Sequence, residues 1–215
     1  DHANDLYHYD IGTDEIRRLT RTPATETEVS FSPDGRLVAF VQEHDLVVVD
    51  VEQRRAHALT TDGEPRIRNG LLDWVYQEEI YGRGNFRGYW WSPDSSRIAY
   101  LQLDDREVPT FPVLDHIPYH PDVEEWEYPK AGDPNPVVRL GVVRAAGGAT
   151  TWTDLDAYRP ADPLVVDVGW TPDSGRVVFQ VQNREQNWLD LNLANPDDGT
   201  LARVLRETSD TWVNS

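Results

Sequence analysis

The sequence predicts an all-β fold, a partial β-propeller of four-stranded antiparallel blades. The main observation is a ten-residue motif that occurs three times, at 31–40, 91–100 and 170–179. Each copy starts with an aromatic residue, continues through Ser or Thr to a Pro-Asp pair, and ends in an apolar run that closes with a second aromatic residue. Proline presets φ for a turn and Asp bonds its own backbone two residues on, so each copy predicts a strand, a tight turn and a second strand.

A second repeat supplies the other half of the blade. Residues 5–20 and 45–60 both begin with Asp-Leu and end with Leu-Thr, and each predicts a hairpin. Joined to the first motif, the hairpin makes a four-stranded unit, and one unit about every 40–50 residues is the period of a propeller blade. A β-sandwich is the alternative, but a sandwich does not need the same turn chemistry at three places. We expect the aromatic residues of the motif to be buried between blades: Phe31, Trp91, Trp170, Phe40, Tyr100 and Phe179.

The repeats divide the chain into one propeller domain of about four blades. Residues 1–24 are expected to form the end of one blade, and further blades are expected at about 25–64, 65–165 and 166–215. The unit at 65–165 is longer than the others because it carries insertions. Propellers close with about four to eight blades, and the sequence contains no Met. We therefore expect the chain to be part of a longer polypeptide.

Two segments do not follow strand alternation. Within 71–81, apolar residues stand at 71, 72, 75, 76 and 80, and this helical spacing predicts a short helical insertion. Residues 103–137 contain seven prolines, which exclude a helix or a central strand there. We expect this stretch to be an extended arm. It either contacts a partner or packs on its own blade as a solvated loop.

Composition excludes several kinds of function. The net charge of −18 opposes nucleic-acid binding, and the absence of Cys excludes disulfides and thiolate chemistry. No serine lies in a Gly-x-Ser-x-Gly context, so no catalytic residue is predicted in this chain. His116 and His120 are four residues apart, but Pro118 between them prevents a helix from presenting both to a metal. We expect no metal and no cofactor.

The adjacent acids Glu78 and Glu79 are the candidate site residues. On a strand, neighbouring side chains point to opposite faces, but on a helical turn they diverge by about 100°, so two carboxylates can reach one cation. The free amino terminus of a peptide is such a cation, and two charge-assisted hydrogen bonds would hold it. The same spacing also fits a solvated helix face, and the chain has other adjacent acids at 104–105, 124–125 and 197–198.

The sequence resembles the dipeptidyl peptidase IV family, serine peptidases of the prolyl oligopeptidase clan, over about residues 30–215. The segment Asp73-Trp-Val-Tyr-Gln-Glu-Glu79 matches the double-glutamate motif of the family, and Gly88-Tyr-Trp-Trp91 follows it. The resemblance continues in order through three further segments, Tyr128-Pro-Lys-Ala-Gly132, Gln182-Asn-Arg-Glu-Gln-Asn187 and Thr211-Trp-Val213.

The resemblance implies an eight-bladed N-terminal propeller that caps an α/β-hydrolase domain carrying Ser, Asp and His. In the family, two propeller glutamates bind the free α-amine of the substrate, and the enzyme removes N-terminal X-Pro or X-Ala dipeptides. By position these glutamates are Glu78 and Glu79. The implied partners are peptides with a free N-terminus, the hydrolase domain of the same protein, and a second copy in a homodimer. The hydrolase domain is absent from this sequence, so the chain alone should be inactive, and 103–137 is the candidate dimer contact.

Two alternatives stay open. The first is the propeller of a related prolyl oligopeptidase or acylaminoacyl peptidase. Those enzymes do not anchor a free amine, so the helical context of Glu78 and Glu79 argues against them. The second is a non-catalytic binding propeller, which only a Gly-x-Ser-x-Gly motif downstream would exclude. The compartment also stays open between the bacterial periplasm and the cytoplasm.

Overall fold

The computed structural model describes residues 4–214 and confirms the predicted fold class. Within this range the strands form three blades and two separate two-stranded sheets, all antiparallel, and the outer limits of the predicted blades, residues 1 and 215, lie outside it. The N-terminal two-stranded sheet consists of β1 (Tyr7–Asp10) and β2 (Glu15–Arg18). The next sheet, here called the first blade, consists of β3 (Glu26–Phe31), β4 (Leu37–Gln42), β5 (Asp45–Asp50) and β6 (Ala56–Ala58).

The middle blade has a first strand that is split in two. β7 (Ile67–Asn69) pairs with the end of β9 (Arg97–Asp104), and β8 (Tyr89–Trp91) pairs with its start. The residues between them, 70–88, leave the sheet and carry the predicted helical insertion. The sequence pattern does not reveal β7, because three residues are too few to show alternation. The blade is completed by β12 (Val137–Arg144) and β13 (Thr151–Trp152).

The proline-rich stretch forms a separate hairpin between β9 and β12 of the middle blade. Its strands are β10 (Thr110–Asp115) and β11 (Asp122–Glu127), and they pair only with each other among the described residues. Pro112 lies within β10 and has no N–H to donate. A two-stranded hairpin tolerates this, because each of its strands has hydrogen-bonding partners on one side only. The stretch is therefore an arm that extends from the sheet, as the prolines predict.

The last blade follows a short 3₁₀-helix, Asp156–Ala161. It consists of β14 (Leu164–Trp170), β15 (Val177–Gln182), β16 (Trp188–Ala194) and β17 (Leu201–Thr208). β14 contains a bulge, because Val165 pairs with Val181 while Asp167 pairs with Gln180. No helix within residues 4–214 is long and apolar enough to cross a membrane.

Equivalent Pro-Asp turns join the first two strands of each blade, as the repeat predicts, and a hydrogen bond links each turn to the next. The N–H of Asp34 donates to Ser95 Oγ at 3.1 Å, and the N–H of Asp94 donates to Ser174 Oγ at 3.0 Å. Both serines have positive φ, 63° and 59°, at the position that Gly35 occupies in the first blade. The serines thus replace glycine at a strained position and join successive blades.

Alternating side chains along the second strand of the first and middle blades pack into two different cores. In β4, Val38 and Phe40 pack with Leu19 on the side of the N-terminal two-stranded sheet, while Ala39 and Val41 pack toward the middle blade. This is the period-two pattern of a strand that is buried on both faces. The second aromatic residue of every motif is fully buried, as predicted, and these residues are Phe40, Tyr100 and Phe179.

The first aromatic residue of the motif is less buried than predicted. Phe31 contradicts the prediction, since 52% of it is exposed. Its ring packs edge to face with His8 at 6.0 Å between ring centroids, and among the described residues the sheet on that side has two strands, where the blades have at least four. Trp91 and Trp170 are partly buried and pack against the cores on the two sides of the middle blade.

Candidate functional site

The helical insertion, residues 70–88, contains one wide helical turn. The turn is α-helical at 74–75 and π-helical over Tyr76–Ile80. Tyr81 N–H donates to the carbonyl oxygen of Tyr76, five residues earlier, at 2.8 Å. π-Helical turns are rare and occur frequently at functional sites. The two candidate glutamates lie in the middle of this turn.

Buried polar side chains hold both ends of the turn. The carboxylate of Asp73 accepts hydrogen bonds from the N–H groups of Val75 (3.1 Å) and Tyr76 (2.9 Å), as a helix cap does. Burial raises the pKa of Asp73, although these hydrogen bonds act in the opposite direction. Beyond the other end of the turn, the N–H of Gly84 donates a hydrogen bond to Oε1 of Gln77 at 2.9 Å, which ties the following loop back to the turn. The turn is therefore fixed by side chains that face inward.

Two tyrosines attach the turn to the last blade. The hydroxyl of Tyr76 accepts a hydrogen bond from the N–H of Val165 at 3.3 Å, and the hydroxyl of Tyr81 donates one to the carbonyl of the same residue at 3.1 Å. Tyr76 is completely buried, and burial raises the pKa of both tyrosines. Both hydroxyls stay neutral at physiological pH and act as hydrogen-bonding groups only.

The two glutamates occupy the outward side of the same turn. Glu78 is partly buried, and its carboxylate lies 3.3 Å from Nε of Arg83. Glu79 is exposed. The structure thus places both residues next to each other on a turn whose preceding side chains, Tyr76 and Gln77, are buried.

An aromatic groove lies where the helical insertion meets the arm. The rings of Trp74 and Tyr128 meet edge to face with 4.3 Å between centroids, and Phe111 lies 5.7 Å from Tyr128. The ammonium of Lys130 lies 4.5 Å from the centre of the Phe111 ring. The groove encloses about 490 Å³ and is lined by Trp74, Phe111, Val113, Trp126, Tyr128 and Lys130.

An ion-pair network ties the base of the arm to the split strand. Arg68 of β7 pairs with Asp105, which is completely buried, and with Glu127 at the end of β11, where the N–O distance is 2.9 Å. Arg66 lies 3.6 Å from the same Glu127 and donates to the carbonyl of Val108. β7 directly precedes the helical insertion, so this network holds both the start of the insertion and the base of the arm. It is called the shared base below.

The sequence indicates the glutamates but not the residues that hold them. Asp73 could have been found from its place just before the helical spacing, which is a capping signal. Tyr76 and Gln77 carry no such signal. A tyrosine on an apolar helix face, and a glutamine beside two acids, both occur in helices that bind no ligand. The bulge of β14 that receives the tyrosines has no sequence signal, since it depends on the pairing of β14 with β15.

Comparison with known proteins agrees with this architecture. A family model described as the dipeptidyl peptidase IV (DPP IV) N-terminal region matches residues 1–215. The probable dipeptidyl peptidase 4 of Aspergillus flavus is 32% identical over 227 residues, covering 98% of this chain and 28% of that protein. The inactive dipeptidyl peptidase 10 of Mus musculus is 29% identical over 213 residues, covering 96% of this chain and 26% of that protein.

A solved structure shows the same fold. The crystal structure of Porphyromonas gingivalis dipeptidyl peptidase 4 superposes with a TM-score of 0.85 at 26% identity, covering 97% of this chain and 29% of that one. The chain thus spans between about a quarter and a third of the length of these three proteins. Because the family match extends over the whole sequence, the chain belongs to the dipeptidyl peptidase IV family and corresponds to its N-terminal propeller region.

Proposed function

We propose that this chain is the substrate-recognition part of a dipeptidyl aminopeptidase, and that Glu78 and Glu79 bind the protonated α-amine of a peptide. The observation that carries the proposal is the π-helical turn, which holds two adjacent carboxylates, one partly buried and one exposed, while the residues before them are buried. Two carboxylates match an ammonium group, which has three N–H donors and one positive charge. No catalytic residue is assigned to this chain.

The role of the glutamates is positioning. An amine held at one place puts the second peptide bond of the substrate at a fixed distance, where a hydrolase domain can attack it. Binding energy is then converted into correct geometry for the reaction. Cleavage after the second residue, with Pro or Ala preferred there, follows from the family resemblance and is part of the proposal.

The ion pair between Glu78 and Arg83 is compatible with this role. Arg83 is 86% exposed, and an exposed pair contributes about 1 kcal/mol or less. An ammonium that makes two charge-assisted hydrogen bonds gains more than this. The substrate amine can therefore replace Arg83 as the partner of Glu78.

The test uses the full-length polypeptide that contains this chain. Glu78→Ala and Glu79→Ala should each lower kcat/KM on dipeptide-releasing substrates by about 100-fold, the effect of losing a charge-assisted hydrogen bond of ~3 kcal/mol. N-acetylated substrates lack the ammonium, so the wild type should turn them over poorly and the variants should change little further. Glu125→Ala is the matched control, because Glu125 belongs to another adjacent acid pair, exposed on the arm. Equal losses on free and acetylated substrates would refute the proposal.

A binding function without hydrolysis is the second candidate. It is favoured by the similarity to the mouse protein described as an inactive dipeptidyl peptidase. In that case the full-length protein binds peptides with a free N-terminus, with the same dependence on Glu79, and releases no dipeptide. Measuring peptide affinity and dipeptide release on the same preparation separates the two functions.

The arm is proposed to contact a second copy of the chain. The arm exposes a series of large apolar side chains, of which Ile117 (86%) and Tyr119 (94%) at the tip are the most exposed, and exposed apolar patches mark interaction surfaces. Sedimentation of the full-length protein should show a dimer that dissociates in the double variant Ile117→Ser, Tyr119→Ser. A monomeric wild type at micromolar concentration would contradict this proposal.

A further inference from the structure

We infer that Tyr76 and Tyr81 are positioning residues, which place the glutamate turn at a fixed position on the last blade. The inference rests on the proposed function of Glu78 and Glu79. It adds that binding of the amine depends on the contact between the two blades, through two hydroxyl groups that do not touch the substrate.

The first observation is that both hydroxyls bind one residue. Tyr76 accepts from the N–H of Val165 at 3.3 Å, and Tyr81 donates to its carbonyl oxygen at 3.1 Å. One hydrogen bond would leave the turn free to pivot about the contact. Two hydrogen bonds to separate atoms of the same residue restrict both the translation and the rotation of the turn.

The second observation is the place of the contact. Val165 lies at the bulge of β14, where the pairing with β15 shifts by one residue before Asp167. A bulge interrupts the ladder of backbone hydrogen bonds, so backbone groups there are available to side chains from outside the sheet. β14 is also an edge strand that pairs only with β15 among the described residues, so the backbone groups on its other side are open to side chains of the helical insertion.

The third observation is the continuous packing behind the hydroxyls. The rings of Tyr76 and Tyr81 stack with 6.3 Å between centroids, and Tyr81 lies 5.7 Å from Trp90 of β8. The carbonyl of Trp90 accepts a hydrogen bond from Trp170 Nε1 of β14 at 3.0 Å. The turn is thus held to β14 both by the hydrogen bonds at Val165 and by packing through Trp90 and Trp170.

The arrangement of the turn explains why its position matters for the glutamates. Tyr76 is the first residue of the π-helical turn and Tyr81 directly follows it, so the two acids lie between the anchors. A binding group must be held to within about 0.5 Å of its productive geometry. Releasing one hydroxyl lets the turn shift without unfolding it, and the carboxylates shift with it.

The experiment measures amine selectivity in the full-length protein. The probes are alanyl-pyrrolidide, which has a free amine and no cleavable peptide bond, and its N-acetyl derivative. The selectivity is the ratio of their dissociation constants. Tyr76→Phe and Tyr81→Phe should each reduce this ratio about fivefold, the effect of one neutral hydrogen bond. The affinity for the acetylated probe should not change.

The matched control is Tyr89→Phe. The Tyr89 hydroxyl is also buried and also bonds the backbone of a neighbouring blade, donating to the carbonyl of Ala39 at 2.9 Å, but it does not contact the turn. It should lose similar stability and keep the full selectivity. If Tyr76→Phe does not fold, Tyr81→Phe carries the test, because Tyr81 is only partly buried.

The outcomes separate the two proposals. A wild type that does not prefer the free amine overturns both. A wild type with the preference, which Glu79→Ala abolishes while the tyrosine variants keep it, supports the amine site and overturns the positioning role. The same reduction in Tyr89→Phe would also overturn it, because any loss of a contact between blades would then have the same effect.

Discussion

Two segments leave the sheet of the middle blade, and they differ in how they are held. The helical insertion is bound by hydrogen bonds at its start, at its end and to the last blade, and Tyr76 within it is completely buried. The arm is held at its base by Glu127, and all of its residues from 110 to 126 are exposed. The same blade thus carries one segment that is held along its length and one that is held near its base, where Tyr128 also packs against Trp74, and exposes the rest.

The difference shows how the two segments suit different tasks. A site for a small cation needs side chains held at fixed positions, and neighbouring blades can supply the buried contacts for this. An arm that contacts a second molecule must instead remain outside the blade. Its β10 and β11 form a two-stranded hairpin, a structure that is only marginally stable in isolation. We therefore expect the anchored base to be essential for the arm.

The largest expected effect is at that shared base. Arg68→Met should lower the unfolding free energy of the propeller region by about 3–5 kcal/mol, because it leaves the buried carboxylate of Asp105 without its charged partner. Urea unfolding measures the change. Arg106→Met is the control, since Arg106 pairs with Asp104 at the surface and should contribute about 1 kcal/mol or less. Equal effects of the two substitutions would show that the base does not depend on the buried pair.

A smaller effect is expected at the start of the helical insertion. Asp73→Ala removes the acceptor for two backbone N–H groups and should cost about 1–2 kcal/mol. Hydrogen exchange should also become faster at the amides of 75–76, while the amides of the arm keep their rates. Unchanged exchange at these amides would mean that the tyrosines alone hold the turn.

The pH dependence of stability tests the burial of Asp73 separately. Its pKa is raised in the folded protein, so the folded state binds more protons than the unfolded state between the two pKa values. The contribution of the Asp73 carboxyl to the unfolding free energy is fully present below its pKa in the unfolded protein. It is lost as the pH rises through its pKa in the folded protein. Relative to Asp73→Asn, the wild type should therefore lose unfolding free energy as the pH rises above about 4, the ordinary pKa of Asp. A relative gain over this range would show that the hydrogen bonds outweigh burial.

The smallest effect on stability is expected at the tip of the arm. Ile117→Ser and Tyr119→Ser should each change the unfolding free energy by about 0.5 kcal/mol or less, because both side chains are exposed and bury little area. Thermal unfolding of the monomeric protein measures this change in unfolding free energy. A loss of more than about 1 kcal/mol would indicate that the tip packs on its own chain.

Much of the fold could be predicted from local patterns. The Pro-Asp turns lie where the ten-residue motif places them, and Phe40, Tyr100 and Phe179 are buried. Phe31 was predicted wrongly, because the burial of a first-strand aromatic residue depends on how many strands lie on its side. The helical spacing indicated the insertion correctly, but the pattern does not reveal β7, because the insertion separates it from β8 and leaves it only three residues long.

The repeat, the turns and the helical spacing around Glu78 and Glu79 depend on residues close together in the chain, so the sequence alone specifies them. The anchoring of the glutamate turn was decided by the tertiary structure. Its contacts to Val165 join residues 84 and 89 positions apart. They involve backbone atoms at a bulge, and backbone atoms are the same in every residue. No local pattern can therefore encode the contact, which exists only when two neighbouring blades are packed together.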